Sequence, residues 1–250
     1  MVMIFTTDEL EEFLSNNGIS TLFSDDIHYP SKISRARSKP ENHKIYHLGN
    51  FTNYEKCVSV VGTRSCSEFG KEFTFNLVKK LIHYDYKIIS GLAKGIDTFA
   101  HHGCVENNGI GIAIMAWFHK IYPTENRTLF DQILENGCAF SENPLKPENN
   151  SRFEFLKRDE LIAVMSDVVI VVESKSKGGA KYTADYAKKK KIPVIKCKTK
   201  TDNAELIEGH KKFLENGAIE AISPENVIEL ISELKGNTEI GNKNTLDDFT

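Results

Sequence analysis

No stretch of this 250-residue chain approaches the ~18 consecutive apolar residues that a membrane helix needs. The opening Met1 to Phe5 lacks a basic flank and runs into Asp8, Glu9, Glu11 and Glu12, so no secretory signal is expected. Cysteine is sparse. Cys57, Cys66, Cys104, Cys138 and Cys197 are odd in number and show no metal spacing, which argues against a zinc site or a disulfide framework and reads as reduced thiols of a cytoplasmic protein. Positive charge is not in surplus either. A net charge of −3 counts against bulk DNA packaging, although a local phosphate groove stays compatible with it. Also missing are a P-loop, a dinucleotide Gly-x-Gly-x-x-Gly, a Ser-His-Asp or Cys-His arrangement and a clean pair of catalytic carboxylates. Glu142 and Glu173, each beside a strand end, are the best acid–base candidates, and a structural role suits both better. No catalytic residue, metal or cofactor is therefore expected.

What the chain does contain is a repeated local pattern. Three times a short apolar run stops at a glycine-bearing turn and a helical pattern begins. The first is Val58 to Gly70, with Gly62, Thr63, Arg64, Ser65 and Ser67 at the turn. The second is Ile88 to His101, with Ser90, Gly91, Lys94, Gly95 and Asp97. The third is Val168 to Ser174, followed by Lys177, Gly178, Gly179 and Thr183. A strand that ends in small residues and feeds a helix leaves free N–H groups at the helix start, where the dipole favours anions and above all phosphate. The ligand expected at these turns carries phosphate, as a nucleotide or as a nucleic-acid backbone.

Hydrophobic periodicity places the elements. A short amphipathic helix is expected over 7–17, capped by Thr7. Residues 19–50, with Pro30 and Pro40, read as loop and short strands. From Cys57 strands and helices alternate: strands at 57–61, 87–90, 110–115, 138–140, 168–172 and 193–196, and helices at 67–84, 95–107, 125–136, 155–166 and 179–190. A helix over 203–215, a last strand at 218–222 and a helix capped by Ser223 with Pro224 in its first turn close the pattern. This order predicts an α/β fold, Rossmann-like, with a mostly parallel sheet and helices on both faces. Residues 1–50 form an N-terminal helix and extension packed on the core, 51–235 the Rossmann-like domain, and 236–250 a polar, disordered tail.

Individual residues carry two readings each. Arg64 offers a bidentate phosphate contact or is a solvent-exposed turn residue. Gly62 admits a close ligand or simply permits a tight turn. Asp97 caps a helix or accepts hydrogen bonds from a ribose or base. His101, four residues on, shares its helix face, and a surface hydrogen bond fits that spacing better than a metal does. Tyr122 stacks on a base or packs before Pro123. Lys157 and Arg158 are placed near a helix start, where cations are unfavourable without a bound anion. The lysines of 175–200, including the run Lys188 to Lys191, contact phosphate or form a solvated helix end.

Taken in order, these motifs resemble the DNA-processing protein A family (DprA, also called Smf). The matching pieces are Tyr29-Pro30, Gly49-Asn50, Val61-Gly62-Thr63-Arg64 with Ser67 and Gly70, Ser90-Gly91-Leu92-Ala93-Lys94-Gly95-Ile96-Asp97 with Ala100-His101, Ile121-Tyr122-Pro123 with Glu125-Asn126, Ser141-Glu142 with Pro144, Phe155 through Ala163, and Gly217-Ala218-Ile219. The resemblance spans about residues 28 to 235. It implies an extended Rossmann-like fold, a basic pocket for single-stranded DNA, loading of the RecA recombinase in natural transformation, and a homodimer. Carried over by residue, the pocket would use Gly62, Thr63, Arg64, Ser65, Gly91, Lys94, Gly95 and Arg158. The wider candidate set adds Ser67, Asp97, Tyr122, Lys157, Gly178 and Gly179.

The departures are specific. The family's Arg-Asn-Arg reads Arg158-Asp159-Glu160. Met115 to Lys120 replaces a glycine-rich segment, and Lys196-Cys197-Lys198 lacks a Pro-Gly. No room is left for a separate C-terminal winged helix. The alternative is a nucleotide sensor or nucleotide-processing enzyme of the wider superfamily, which includes the Lonely-Guy phosphoribohydrolases. Asp159 and Glu160 would repel a DNA backbone but hydrogen-bond a ribose. The phosphoribohydrolase motif itself is broken at Ser176-Lys177, Tyr182 and Tyr186.

Overall fold

The computed structural model describes residues 6–36, 43–50, 52–145 and 151–244. Among the described residues nine strands form one sheet in the order β1-β2-β6-β5-β4-β3-β7-β8-β9. The strands are β1 (Ser20–Phe23), β2 (Lys44–Gly49), β3 (Cys57–Val61), β4 (Lys87–Ser90), β5 (Gly111–Ile114), β6 (Cys138–Ser141), β7 (Val168–Val171), β8 (Val194–Cys197) and β9 (Ile219–Ala221). The helices are α1 (Thr7–Asn16), α2 (Ser31–Ala36), α3 (Glu68–His83), α4 (Ile96–Glu106), α5 (Arg127–Asn136), α6 (Ser151–Met165), α7 (Gly179–Lys189), α8 (Ala204–Glu215) and α9 (Pro224–Asn244). A 3₁₀ turn, Thr124–Asn126, leads into α5.

From β3 the chain winds outward through β4, β5 and β6, all parallel. It then returns to place β7 on the other side of β3 and winds outward again through β8 and β9. The boundary between β3 and β7 is therefore a topological switch point, where crossovers leave in opposite directions and open a crevice at the carboxyl ends of the strands. The strands there are buried on both faces and alternate by residue, as the two-residue strand period requires. Val61, Val169 and Val171 face α6 and α7. Val58, Val60, Val168 and Ile170 face α3, α4 and α9. Buried Lys196 ties β8 to β7, its Nζ donating to the carbonyls of Val172 and Cys197, each at 2.7 Å.

The sequence expectations need several corrections. The cap of α1 is Thr6, which forms a capping box with Glu9; Thr7 is already helical. The N-terminal extension is woven into the sheet, since β1 pairs antiparallel with β2 and β2 with β6. It also contains α2, a helix not expected from the sequence, anchored by buried Ile33. Helix α6 starts at Ser151 and not at 155, because its first turns are exposed or half-buried and carry no apolar stripe to mark them. The tail expected from 236 is helical as far as Asn244, because extending a formed helix costs far less than nucleating one. Residues 245–250 lie outside the described residues. No helix among those described is long and apolar enough to cross a membrane.

Candidate nucleic-acid interface

A cleft of about 1130 Å³ opens at the switch point. Its walls are the β3–α3 loop (Val61 to Ser65), Ala93 and Asp97 from the start of α4, Trp117 and Tyr122, one face of α6, and the β7–α7 loop with the first turns of α7. Six cationic side chains line it, Arg64, Arg152, Arg158, Lys175, Lys177 and Lys181, against three carboxylates, Asp97, Asp159 and Asp185.

The two signs are not mixed evenly. Arg64, Arg152, Lys175 and Lys177 are exposed on the rim. Lys175 pairs with Glu205 and Lys181 with Asp185. Among the described residues no carboxylate pairs with Arg64, Arg152 or Lys177, so these three are ready for an anion. The floor is different. Arg158 is 7 % exposed and lies between two carboxylates, its Nη1 3.5 Å from Asp97 Oδ2 and its Nε 3.2 Å from Asp159 Oδ1. Asp97 also accepts from the backbone N–H of Gly62 at 3.4 Å and of Gly91 at 3.2 Å. Burial pushes its carboxyl up to about 6, opposed by Arg158 and reinforced by Asp159. Asp159 is also raised by burial, with Arg158 and Arg64 pulling the other way.

Aromatic rings form one wall. Phe155 meets Trp117 edge-on at 5.2 Å and Tyr122 at 6.4 Å. The guanidiniums of Arg64 and Arg158 sit 5.8 and 5.6 Å from the Phe155 ring. Tyr122, 53 % exposed at the cleft edge, offers an aromatic surface on which a flat ligand can stack.

The glycines divide by what stands against them. A Cβ on Gly91 would lie 1.4 Å from Arg158 Nη1, so the missing side chain makes room for the guanidinium. A Cβ on Gly62 would strike Ile96 and the Glu173 carbonyl, and one on Gly95 the Thr63 carbonyl at 2.2 Å. These two glycines thus bring loops against each other and do not open a path to a ligand. Gly178, with φ of +131°, faces open space at the start of α7.

The expected residues therefore separate. Thr63, Arg64, Ser65, Asp97, Tyr122, Arg158, Gly178 and Gly179 share the cleft with Gly62, and Gly91 lies directly under Arg158. Gly95 packs behind the β3–α3 loop, and three more stand elsewhere. Ser67 caps α3, donating from N and Oγ to buried Glu173 at 2.9 and 2.7 Å, which also gives Glu173 a structural role. Lys94 points outside and pairs with Glu125 at 3.0 Å. Lys157 stacks over Phe153 in a separate depression with His43 and Glu142. Because α6 begins earlier than expected, Lys157 and Arg158 sit beyond its first turn, and the helix-start argument for an anion there falls away. His101 is fully buried and is pulled down by burial to about 4, with the Ser90 backbone opposing the shift. No metal-binding group is found among the described residues. The lysine run at the end of α7 behaves as a helix end, with Lys188 on the Asn216 carbonyl and Lys190 over Tyr186. Sequence reasoning missed Arg152 and did not single out Lys175 or Lys181. The density of lysine after 175 was the available signal for the last two.

The family model of DNA recombination-mediator protein A matches residues 20–232. The chain belongs to this family. Protein Smf of Synechocystis is 36 % identical over 225 residues, covering 87 % of this chain and 54 % of its own length. The chain thus spans about half the length of that curated relative. Among solved structures, DNA processing protein A of Streptococcus pneumoniae superposes with a TM-score of 0.75 at 27 % identity, covering 88 % of this chain and 77 % of that one. The Helicobacter pylori protein superposes with a TM-score of 0.74 at 26 % identity, covering 89 % and 98 %, and its structure describes a single-stranded DNA binding mode for that protein. Fold and family membership are therefore plain for a DprA/Smf-type chain.

Proposed function

We propose that this chain binds single-stranded DNA without catalysing a reaction on it, as a DprA/Smf-type mediator acting in recombination and natural transformation. A cytoplasmic homodimer that hands the strand to RecA is part of this reading. The observation that carries it is the division of the cleft. Exposed Arg64, Arg152 and Lys177 form no salt bridge with any described carboxylate and stand on the rim, while Tyr122 and Phe155 line the wall. A flexible single strand can lay its phosphates on such a rim and turn its bases inward to stack. Duplex DNA cannot turn its bases inward without losing its pairing.

The test is anisotropy of a labelled single strand of about 16 nucleotides against the matching duplex, across a salt series. Tighter binding of the single strand is expected. With three free rim cations, the log–log salt slope should be about −2. Equal affinity for duplex, or a salt-independent affinity, would overturn the reading. The carboxylates of the floor favour one rival, a free nucleotide as true ligand. Mononucleotides that bind when no strand does would establish it.

A further inference from the structure

The two carboxylates flanking Arg158 differ in one respect. Asp97 has its backbone donors. Asp159 is 5 % exposed, lines the cleft floor, and receives no hydrogen bond from any described residue. Its approach to Arg158 Nε is close but badly directed, for that Nε is itself buried without a hydrogen-bond partner. A carboxylate this deep is costly without donors, and its one charge partner, Arg158, is poorly aligned to donate to it. Gly179 keeps its cleft side open, since a Cβ there would stand 3.0 Å from Asp159 Oδ2. The carboxylate therefore keeps acceptor capacity for donors on whatever enters the cleft.

Phosphate cannot supply them, being an anion with acceptors only. Bases can. Guanine presents N1–H and the 2-amino group side by side, and two parallel donors match the two oxygens of a carboxylate. Thymine offers one N–H between two carbonyls that a carboxylate repels. Adenine and cytosine each offer one amino group beside a ring acceptor. In a single strand these edges are unpaired and free to be read.

We propose that Asp159 is the specificity-determining residue of the cleft and selects guanine in single-stranded DNA. This rests on the single-strand reading above. Rim cations then hold the phosphates, the Phe155 and Tyr122 wall stacks the base, and Asp159 reads its edge.

The experiment compares three thymidine strands of about twelve nucleotides. One is all thymidine, one carries a central guanosine, and one carries inosine there, which lacks the 2-amino group. Wild type should bind the guanosine strand at least about fivefold tighter than the thymidine strand, with most of that gain lost for inosine. Asp159→Asn, checked for an unchanged unfolding midpoint, should bring the ratio near one. The inosine arm needs no variant, so the proposal stays testable if Asp159→Asn folds poorly. Equal wild-type affinity for all three strands would overturn guanine selection and leave DNA binding standing. If no strand binds, guanosine and thymidine monophosphates replace them. A guanosine preference abolished by Asp159→Asn would then uphold base reading and overturn the single-strand reading. Absence of any preference, or of any binding, would overturn the proposal.

Discussion

Asp97 and Asp159 sit on opposite sides of one guanidinium, yet they belong to different kinds of structure. On the Asp97 side the chain satisfies itself. The Asp97 carboxylate takes the N–H groups of Gly62 and Gly91 and so ties the ends of β3 and β4 to the start of α4. Gly95 lets that start close on the Thr63 carbonyl, to which Ile96 donates at 3.2 Å. On the Asp159 side little is closed. The β7–α7 loop is exposed from Lys177 to Gly179, and nothing stands within 4 Å of where a Gly178 side chain would be. The lesson is that the most motif-like segment of the chain, Ser90 to Asp97, builds the platform, while the plainer segment after β7 lines the open cleft.

Removing each carboxylate should separate the two sides most sharply. Asp97→Ala strands the buried N–H of Gly91 and the half-buried N–H of Gly62, and leaves Arg158 with one anion fewer. A loss of about 3 kcal/mol is expected, since breaking a buried network exposes its remaining members to the full desolvation penalty. Asp159→Ala also takes an anion from Arg158 but strands no backbone donor, so its loss should be smaller, about 1–2 kcal/mol. Urea unfolding of both variants decides the matter. Equal losses would erase the distinction between a structural and a ligand-facing carboxylate.

The same contrast has a pH signature. Asp97 titrates near 6 in the folded protein, above its ordinary 3.8, so the folded state binds its proton more tightly than the unfolded chain. The burial penalty on the charged form is present above pH 6 and relieved as pH falls toward 4. His101, held near 4 against an ordinary 6.5, works in the opposite direction over nearly the same window. Wild-type stability alone therefore hides the effect. The difference between wild type and Asp97→Asn does not, because His101 cancels from it. That difference should be larger at pH 4 than at pH 7 by up to about 3 kcal/mol. A gap constant across the range would show that Asp97 is not the group titrating there.

The parallel core was legible because a doubly buried strand has a plain signature. Val168 to Val171 is an unbroken β-branched run, and every one of its residues is buried. Strands β3 and β4 agree with their expected bounds for the same reason. What escaped was short or exposed. Helix α2 has six residues and a single described fully buried apolar side chain, Ile33, so no periodicity could announce it. The cleft was half legible. Arg64 and Arg158 were found from turn position and resemblance, but Ser67 and Lys94 carry the same local pattern and point elsewhere. Spacing along a turn does not say which side of the loop a side chain takes, and Glu173, more than a hundred residues away in the chain, is what claims Ser67.

Arg64 and Lys94 give the smallest and most direct test of that last distinction. Both sit on glycine-bearing turns at strand ends, both are exposed, and both would be assigned to phosphate by position alone. Arg64 stands over Phe155 inside the cleft, and among the described residues no carboxylate forms a salt bridge with it. Lys94 lies on the outer surface with Glu125, a solvated pair of the kind that contributes little to anything. Arg64→Ala should weaken single-strand binding about tenfold and flatten the salt slope by about one phosphate contact. Lys94→Ala should change affinity by no more than about twofold and leave the slope unaltered. Both variants should keep the wild-type unfolding midpoint, since neither side chain is buried. If Lys94→Ala proved the more damaging, the strand would have to run over the α4 start and Glu125, and the cleft at the switch point would lose its claim to be the interface.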